Sequence, residues 1–182
     1  MTKSKTVAKF EQVDFPQFMA DWIATYGDMP DAEQEGIHFT AEEIIHAIYD
    51  DIKIPVRSTS GAAGYDFYSP IDYEIEPGQS VKIPTSIRCK INDGWCLIIL
   101  PRSSYGIKYK MKIDNTVPLI DSDYYNSLNQ GHIFIQISNE GSKPIKIARG
   151  DRFVQGVFLP YGIASDDNVS TERTGGIGST GK

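Results

Sequence analysis

The residue types best suited to chemistry sit in one stretch, Leu119-Ile120-Asp121-Ser122-Asp123-Tyr124. Two carboxylates stand two residues apart, beside an aromatic ring and directly after an apolar run from Val117 to Ile120. On an extended chain the two-residue spacing puts Asp121 and Asp123 on the same side. Carboxylates held together repel, so the pair requires a cation, a hydrogen-bond donor or a proton. Taken alone, a polar turn at the end of a buried strand would explain the stretch. Four further stretches weigh on the other side. Gly61-Ala62-Ala63-Gly64-Tyr65-Asp66-Phe67-Tyr68-Ser69 packs small residues around one acid. Small residues allow close backbone approach, and Asp66 is a candidate to hold a cation's water or an arginine. Pro101-Arg102-Ser103-Ser104-Tyr105-Gly106 follows an apolar run and offers a guanidinium, two hydroxyls and free amides to an oxyanion. Arg149-Gly150-Asp151-Arg152-Phe153-Val154-Gln155 is a turn leading into a strand, with Arg152 for a buried acid and Gln155 for a phosphate. Arg173-Thr174-Gly175-Gly176-Ile177-Gly178-Ser179-Thr180-Gly181 is Gly-rich and hydroxyl-bearing, suited to wrapping a polyphosphate with backbone N–H groups. It lacks the Gly-Lys-Ser/Thr ending of a P-loop.

The elements that must position these groups change in texture along the chain. Residues 1–50 read as helical: Phe15, Phe18, Met19, Trp22, Ile23 and Tyr26 form one apolar stripe, with Asp14 and Gln17 as caps and Gly27 as the stop. Thr40-Ala41-Glu42-Glu43 is a capping box, and Ile44, Ile45 and Ile48 continue a second amphipathic helix. From residue 52 the runs are short, β-branched and punctuated by Gly, Pro and Asn. Segments 52–56, 81–83, 87–91, 95–100, 133–137, 145–147 and 153–159 read as strands. Pro77-Gly78, Asn92-Asp93-Gly94, Glu140-Gly141 and Arg149-Gly150 read as turns. No convincing helical pattern interrupts them, which indicates an all-β barrel or sandwich. Lys108, Lys110 and Lys112 alternate as on a solvated edge strand. Residues 166–182 carry almost no apolar residues and read as a mobile Gly-rich arm.

The 182 residues suffice for one ordinary domain with an appendage. A formal net charge of −6 argues against non-specific binding to a nucleic-acid backbone, although a local Lys/Arg cluster can still hold a small anion. There is no membrane-length run and no signal-peptide pattern. Cys89 and Cys96 flank a hairpin-like turn and read as free buried thiols of a reducing cytosol rather than a disulfide. With three scattered histidines they make no zinc signature.

In this order, the five stretches resemble the five motifs of the trimeric deoxyuridine triphosphatase (dUTPase) family, from about residue 52 to residue 182. The resemblance implies a jelly-roll-like β-barrel of the dUTPase type, preceded here by two short α-helices that have no counterpart in the family core. It divides the chain into a helical extension (1–50), a barrel (51–165) and a C-terminal arm (166–182). It implies a homotrimer with shared active sites, each closed by another subunit's arm, and hydrolysis of dUTP to dUMP and pyrophosphate with Mg²⁺. By similarity, Asp121 orients the attacking water, with Leu119 and Ile120 beside it along the substrate. Tyr124 lies under the deoxyribose and excludes a 2′-hydroxyl. Asn115 contacts uracil, and Arg102, Ser103, Ser104 and Gln155 hold phosphates. Arg152 partners Asp66, which reaches the metal through water. Arg173, Gly178, Ser179 and Thr180 close over the terminal phosphate. Three positions depart from the family pattern. Ile177 replaces a Phe that stacks on uracil, Pro118 replaces a Gly in the base-reading hairpin, and residues 125–130 lengthen the turn after Tyr124. The expectation is a cytoplasmic, magnesium-dependent enzyme of dUMP synthesis, with dUTP as its partner and no membrane or direct nucleic-acid contact. Two alternatives stand beside it: a dCTP deaminase of the same fold, and a regulatory module whose extension binds a protein partner.

Overall fold

The structure is a computed structural model that describes residues 5–34, 36–171 and 173. The chain opens with β1 (Ala8–Gln12), α1 (Phe15–Tyr26), β2 (Ala32–Gln34), β3 (Ile37–Phe39) and α2 (Ala41–Asp50). It continues with β4 (Val56–Arg57), β5 (Tyr65–Tyr68), β6 (Tyr73–Ile75), β7 (Ser80–Pro84), β8 (Ile87–Ile91) and β9 (Trp95–Pro101). Then come α3 (Ser103–Tyr109), β10 (Met111–Ile113), β11 (Leu119–Ile120) and a 3-10 turn at Ser122–Asn126. The last strands are β12 (Phe134–Asn139), β13 (Ile145–Ile147) and β14 (Arg152–Pro160). Every strand pairing is antiparallel. A five-stranded sheet in the order β11-β9-β14-β5-β4 faces a three-stranded sheet, β10-β12-β7, across a core that includes Phe67, Leu97, Ile99, Ile135 and Phe153. The core forms because β-branched and aromatic residues recur at inward positions, as Ile133, Ile135 and Ile137 do while Gln136 points out.

The first fifty residues are not wholly helical, and this corrects the expected boundary. β1 is a barrel strand: it pairs with β8 from Ala8↔Ile91 to Gln12↔Ile87. Phe10 packs against Tyr65, Phe67 and Phe158, with ring centroids 5.3–5.8 Å apart. Its period-2 signal is short and diluted by Lys9 and Glu11, so the helical stripe that follows overshadows it. The two helices and the β2–β3 hairpin are thus inserted after a barrel strand rather than placed ahead of the barrel. A second correction concerns the three alternating lysines. Residues 103–109 coil into α3 because the Tyr105 and Gly106 N–H groups bond back to the Arg102 carbonyl. Lys108 lies on that helix, Lys110 is a left-handed cap at φ 57°, and only Lys112 is in a strand. The strand read at 52–56 shrinks to Val56–Arg57.

Both inserted helices carry the caps that the sequence announces. The Asp14 side chain accepts the Gln17 N–H at 2.9 Å, and Gly27 at φ 82° ends α1. Thr40 and Glu43 form the reciprocal capping box of α2. Val13, Phe18, Trp22, Ile45 and Ile48 make a small apolar core of their own. Polar bolts join this unit to the barrel. The Arg149 guanidinium donates to Asp51 at 3.0 Å and to the Ala47 carbonyl at 3.1 Å. The Gln12 side-chain amide of β1 donates to the Tyr49 carbonyl at 3.0 Å. Deepest is His132, fully buried, whose Nδ1 lies 2.6 Å from an Asp21 carboxylate oxygen of α1. His132 Nε2 accepts the Ser86 N–H at 2.8 Å, so the proton of the neutral ring sits on Nδ1 and points at Asp21.

Burial lowers the His132 pKa from 6.5, against the opposing pull of Asp21. Burial pushes the Asp21 carboxyl up, but hydrogen bonds from His132 and Gln17 outweigh it and hold the value below 3.8. Between a depressed folded pKa and the ordinary one, the unfolded chain binds more protons, so folding stability falls as pH drops. The loss begins for His132 below about 6.5 and is joined by Asp21 below about 3.8. Calorimetric Tm should therefore decline as buffers move from pH 8 to pH 5. A Tm that is flat or rises across that range would mean that His132 is not held neutral.

Candidate active site

Asp66 sits on β5 with its side chain only 6% exposed, and a carboxylate so placed requires compensation. Arg102 Nε approaches Oδ1 at 3.1 Å, and Arg152 Nη1 approaches Oδ2 at 3.3 Å. The Ser58 hydroxyl donates to Oδ2 at 2.6 Å and accepts from Arg152 Nη1 at 2.9 Å. Arg102 Nη1 also donates to the Arg152 carbonyl at 3.1 Å. The expected Arg152–Asp66 pair is present, and Arg102 joins it. Both oxygens of Asp66 are engaged by these cations and by Ser58. Those groups stand at the C-terminal end of β9 and the start of β14, beside the exposed Ser103 and Ser104. Gln155 lies opposite Asp66 in the β14–β5 ladder, and its amide donates to the Pro101 carbonyl at 3.4 Å. A Cβ at Gly64 would come 2.3 Å from Gln155 Oε1, so a side chain there must displace the Gln155 amide.

The carboxylate pair finds the cation its repulsion demands. Asp121 is the extended residue ahead of the 3-10 turn, and Asp123 lies within it. Arg173 Nη1 bridges them at 3.1 Å and 3.0 Å, with its guanidinium 5.3 Å from the centre of the Tyr124 ring. Arg173, read from sequence as a phosphate ligand, is in this structure a carboxylate ligand. Gly178, Ser179, Thr180 and Ile177 lie outside the described residues. Tyr124 is buried, and its hydroxyl donates to the His132 carbonyl at 2.7 Å.

Tyr124 and Asn115 line one cavity of about 360 Å³, together with Lys82, Asp114, Asn129, Phe134 and Gln136. Its volume suits a nucleoside. Asn115 is exposed in the turn between β10 and β11, where Thr116 at φ 66° redirects the chain from one sheet to the other. Of the pair before Asp121, Leu119 is exposed and Ile120 is in the core. Sequence reasoning missed Phe134, over whose ring Lys82 Nζ lies at 4.4 Å. The available signal was an aromatic at an outward position of an alternating strand. Tyr105 and Tyr125 do not line this cavity. Tyr105 reaches Asp151 at 3.4 Å, and Tyr125 stacks on Arg88 at 3.6 Å and donates to Glu11 at 2.6 Å.

The two halves do not meet within one chain. β11 pairs with β9 at Leu119↔Ile98 and Ile120↔Leu97, which sets Asp121 near Cys96, whereas Arg102 follows Pro101 at the other end of β9. Six residues of strand at about 3.3 Å each separate them by roughly 20 Å. Among the described residues no group of three or more His, Cys, Asp or Glu is arranged to hold a metal by protein ligands alone. Cys89 and Cys96 are free and buried, and burial raises both thiol pKa values. No helix among the described residues is long and apolar enough to cross a membrane.

Comparison with known proteins agrees with this geometry. The dUTPase family model matches residues 50–181. The deoxyuridine 5′-triphosphate nucleotidohydrolase of Lactococcus lactis subsp. lactis is 41% identical over 133 residues, 71% of this chain and 89% of that protein. The protein of the same name from Haemophilus influenzae is 38% identical over 143 residues, 74% of this chain and 91% of its own. Among solved structures, the dUTPase of Streptococcus mutans superposes with a TM-score of 0.56 at 38% identity, covering 62% of this chain and 88% of that one. The dUTPase of phage phi11 of S. aureus, described with a structural Mg(II) ion, shares the fold at 21% identity and a TM-score of 0.55, covering 65% of this chain and 90% of its own. On the family match and these identities together, the chain belongs to the dUTPase family.

Proposed function

We propose that the chain hydrolyses dUTP to dUMP and pyrophosphate by attack of water on the α-phosphorus, with the nucleoside in the Asn115–Tyr124 cavity. The observation that carries this reading is the half-exposed Asp121 carboxylate, three residues ahead of the Tyr124 ring that lines that cavity. In the reaction Asp121 takes a proton from the water as the water's oxygen bonds to the α-phosphorus. The bond from that phosphorus to the bridging oxygen breaks, and pyrophosphate departs with the electron pair. Arg102 and Arg152, held by Asp66, face the departing charge, and Gln155 adds a neutral donor. Mg²⁺ would be held chiefly by the substrate's phosphate oxygens and by water, since no group of three or more His, Cys, Asp or Glu is arranged for it among the described residues. When bound, it supplies further neutralisation of the triphosphate. The roughly 20 Å between Asp121 and Arg102 supports a site completed by a second copy, as in a homotrimer with shared active sites. Free buried thiols suit a reducing cytoplasm.

The direct test is incubation with dUTP, dCTP, dTTP and UTP in ¹⁸O-water. dUTP should be consumed, with label in dUMP and none in pyrophosphate. Ammonia from dCTP without pyrophosphate release would establish the deaminase instead. Asp121→Asn should lower kcat for dUTP by roughly 10²–10⁴-fold with little change in KM, the range typical of a lost general base. A variant with near wild-type kcat would remove Asp121 from that role.

Gly64→Ala tests the phosphate half separately. Its Cβ must drive the Gln155 side chain aside, since the two would otherwise stand 2.3 Å apart. A fall of about tenfold in kcat/KM with a nearly unchanged Tm is expected, because misplacing a positioning group by an ångström is enough. Unaltered kinetics would show that Gln155 is not needed where it stands.

A further inference from the structure

In the turn at residues 125–131, longer than the family pattern, Leu128 is 86% exposed and only the Tyr125 ring is packed, against Arg88. The turn is shaped by polar contacts. The Ser127 hydroxyl donates to the Tyr124 carbonyl at 2.7 Å, and the Asn129 amide donates to the Tyr124 hydroxyl at 3.0 Å and to the His132 carbonyl at 3.2 Å. That carbonyl also accepts the Tyr124 hydroxyl. The height of the Tyr124 ring in the nucleoside cavity is therefore set by where the His132 backbone lies.

The His132 backbone is set in turn by α1. Its ring is locked between the Ser86 N–H and the Asp21 carboxylate. The N-cap and the last residue of α1 make two more contacts to the barrel. Asp14 and Gln130 bond reciprocally, N–H to Oε1 at 3.1 Å and Nε2 to Oδ2 at 2.8 Å. The Tyr26 hydroxyl donates at 2.9 Å to the carbonyl of Lys82, a cavity residue. A buried Asp–His pair is a weak source of stability compared with apolar packing, but it fixes direction.

We infer that the inserted helix α1 is a specificity element of the nucleoside pocket: Asp21, through His132, is a positioning residue that fixes the Tyr124 ring and with it the rejection of a 2′-hydroxyl. The inference rests on the assignment of Tyr124 to the sugar. Loosening the His132 carbonyl lets the ring yield to a ribose, while Asp121 and the arginines keep their places. The effect is therefore on discrimination and on KM rather than on kcat for dUTP.

The experiment compares kcat/KM for dUTP and UTP in the full-length protein and three variants. Asp21→Ala should cut the dUTP/UTP ratio by roughly tenfold, with kcat at saturating dUTP within about twofold of wild type. Asp21→Asn, which keeps an acceptor for the His132 N–H, should restore most of the ratio. Gln130→Ala, which cuts a contact of the same helix without touching His132, should lower Tm yet leave the ratio unchanged. Asp21→Leu fills the site with apolar volume and carries the same expectation as Asp21→Ala if the latter is too unstable to purify. A ratio within about twofold of wild type in Asp21→Ala or Asp21→Leu, or an equal loss in Gln130→Ala, would overturn the proposal. A wild-type protein that hydrolyses UTP as well as dUTP would overturn the sugar assignment beneath it, a result visible before any variant is made.

Discussion

A carboxylate drawn out of water must be given a donor, and each working part of this protein is assembled around that constraint. Asp66 gathers Arg102, Arg152 and Ser58. Asp121 and Asp123 gather Arg173. Asp21 gathers His132. In the first case compensation is also preparation: two guanidinium groups that would otherwise roam are aimed outward from a strand end. In the second, a cation from the chain's own C-terminal segment stands beside the carboxylate assigned to activate water.

The sequence disclosed most where the physical signal is local. Helix caps at Asp14 and Thr40, the stop at Gly27 and the bounds of β8 and β13 are readable because each depends on a few adjacent residues. The demand of Asp121 and Asp123 for a cation was readable for the same reason, since charge repulsion needs only spacing. What escaped depends on distant partners. β1 looks like the lead-in to a helix until β8 is there to pair with it. The lysines at 108–112 look like a strand until Arg102 accepts two N–H groups and starts a helix. Phe134 is an ordinary outward residue of β12 until Asn115 and Tyr124, from other parts of the chain, close a cavity around it.

Strand register decides how the site is divided. β9 is the shared rail of β11 and β14. Because β11 joins it at Leu97 and Ile98, the Asp121 turn falls at one end, and the Asp66 cluster falls at the other. A slip of one residue would turn Ile120 out of the core and Leu119 into it, so the register is fixed by burial and cannot drift to bring the halves together. Separation of the two halves thus follows from the same packing that makes the barrel stable.

The inserted helices and the lengthened turn are best understood as one device. No Lys or Arg occurs between Lys9 and Lys53, so the insert carries acids without cations of its own. The barrel supplies a guanidinium at Arg149, which reaches Asp51, and a neutral N–H donor at His132, which reaches Asp21. The turn at 125–131 has the converse deficit: it exposes Leu128 and returns through Gly131 at φ 72°, where a Cβ would stand 2.7 Å from the Tyr125 Cα. A short turn would not carry Gln130 out to Asp14. Without α1, the longer turn would leave His132 Nδ1 buried without an acceptor, at a cost of about 1–3 kcal/mol. The helices and the turn therefore each supply what the other lacks, and the Tyr124 ring lies where they meet.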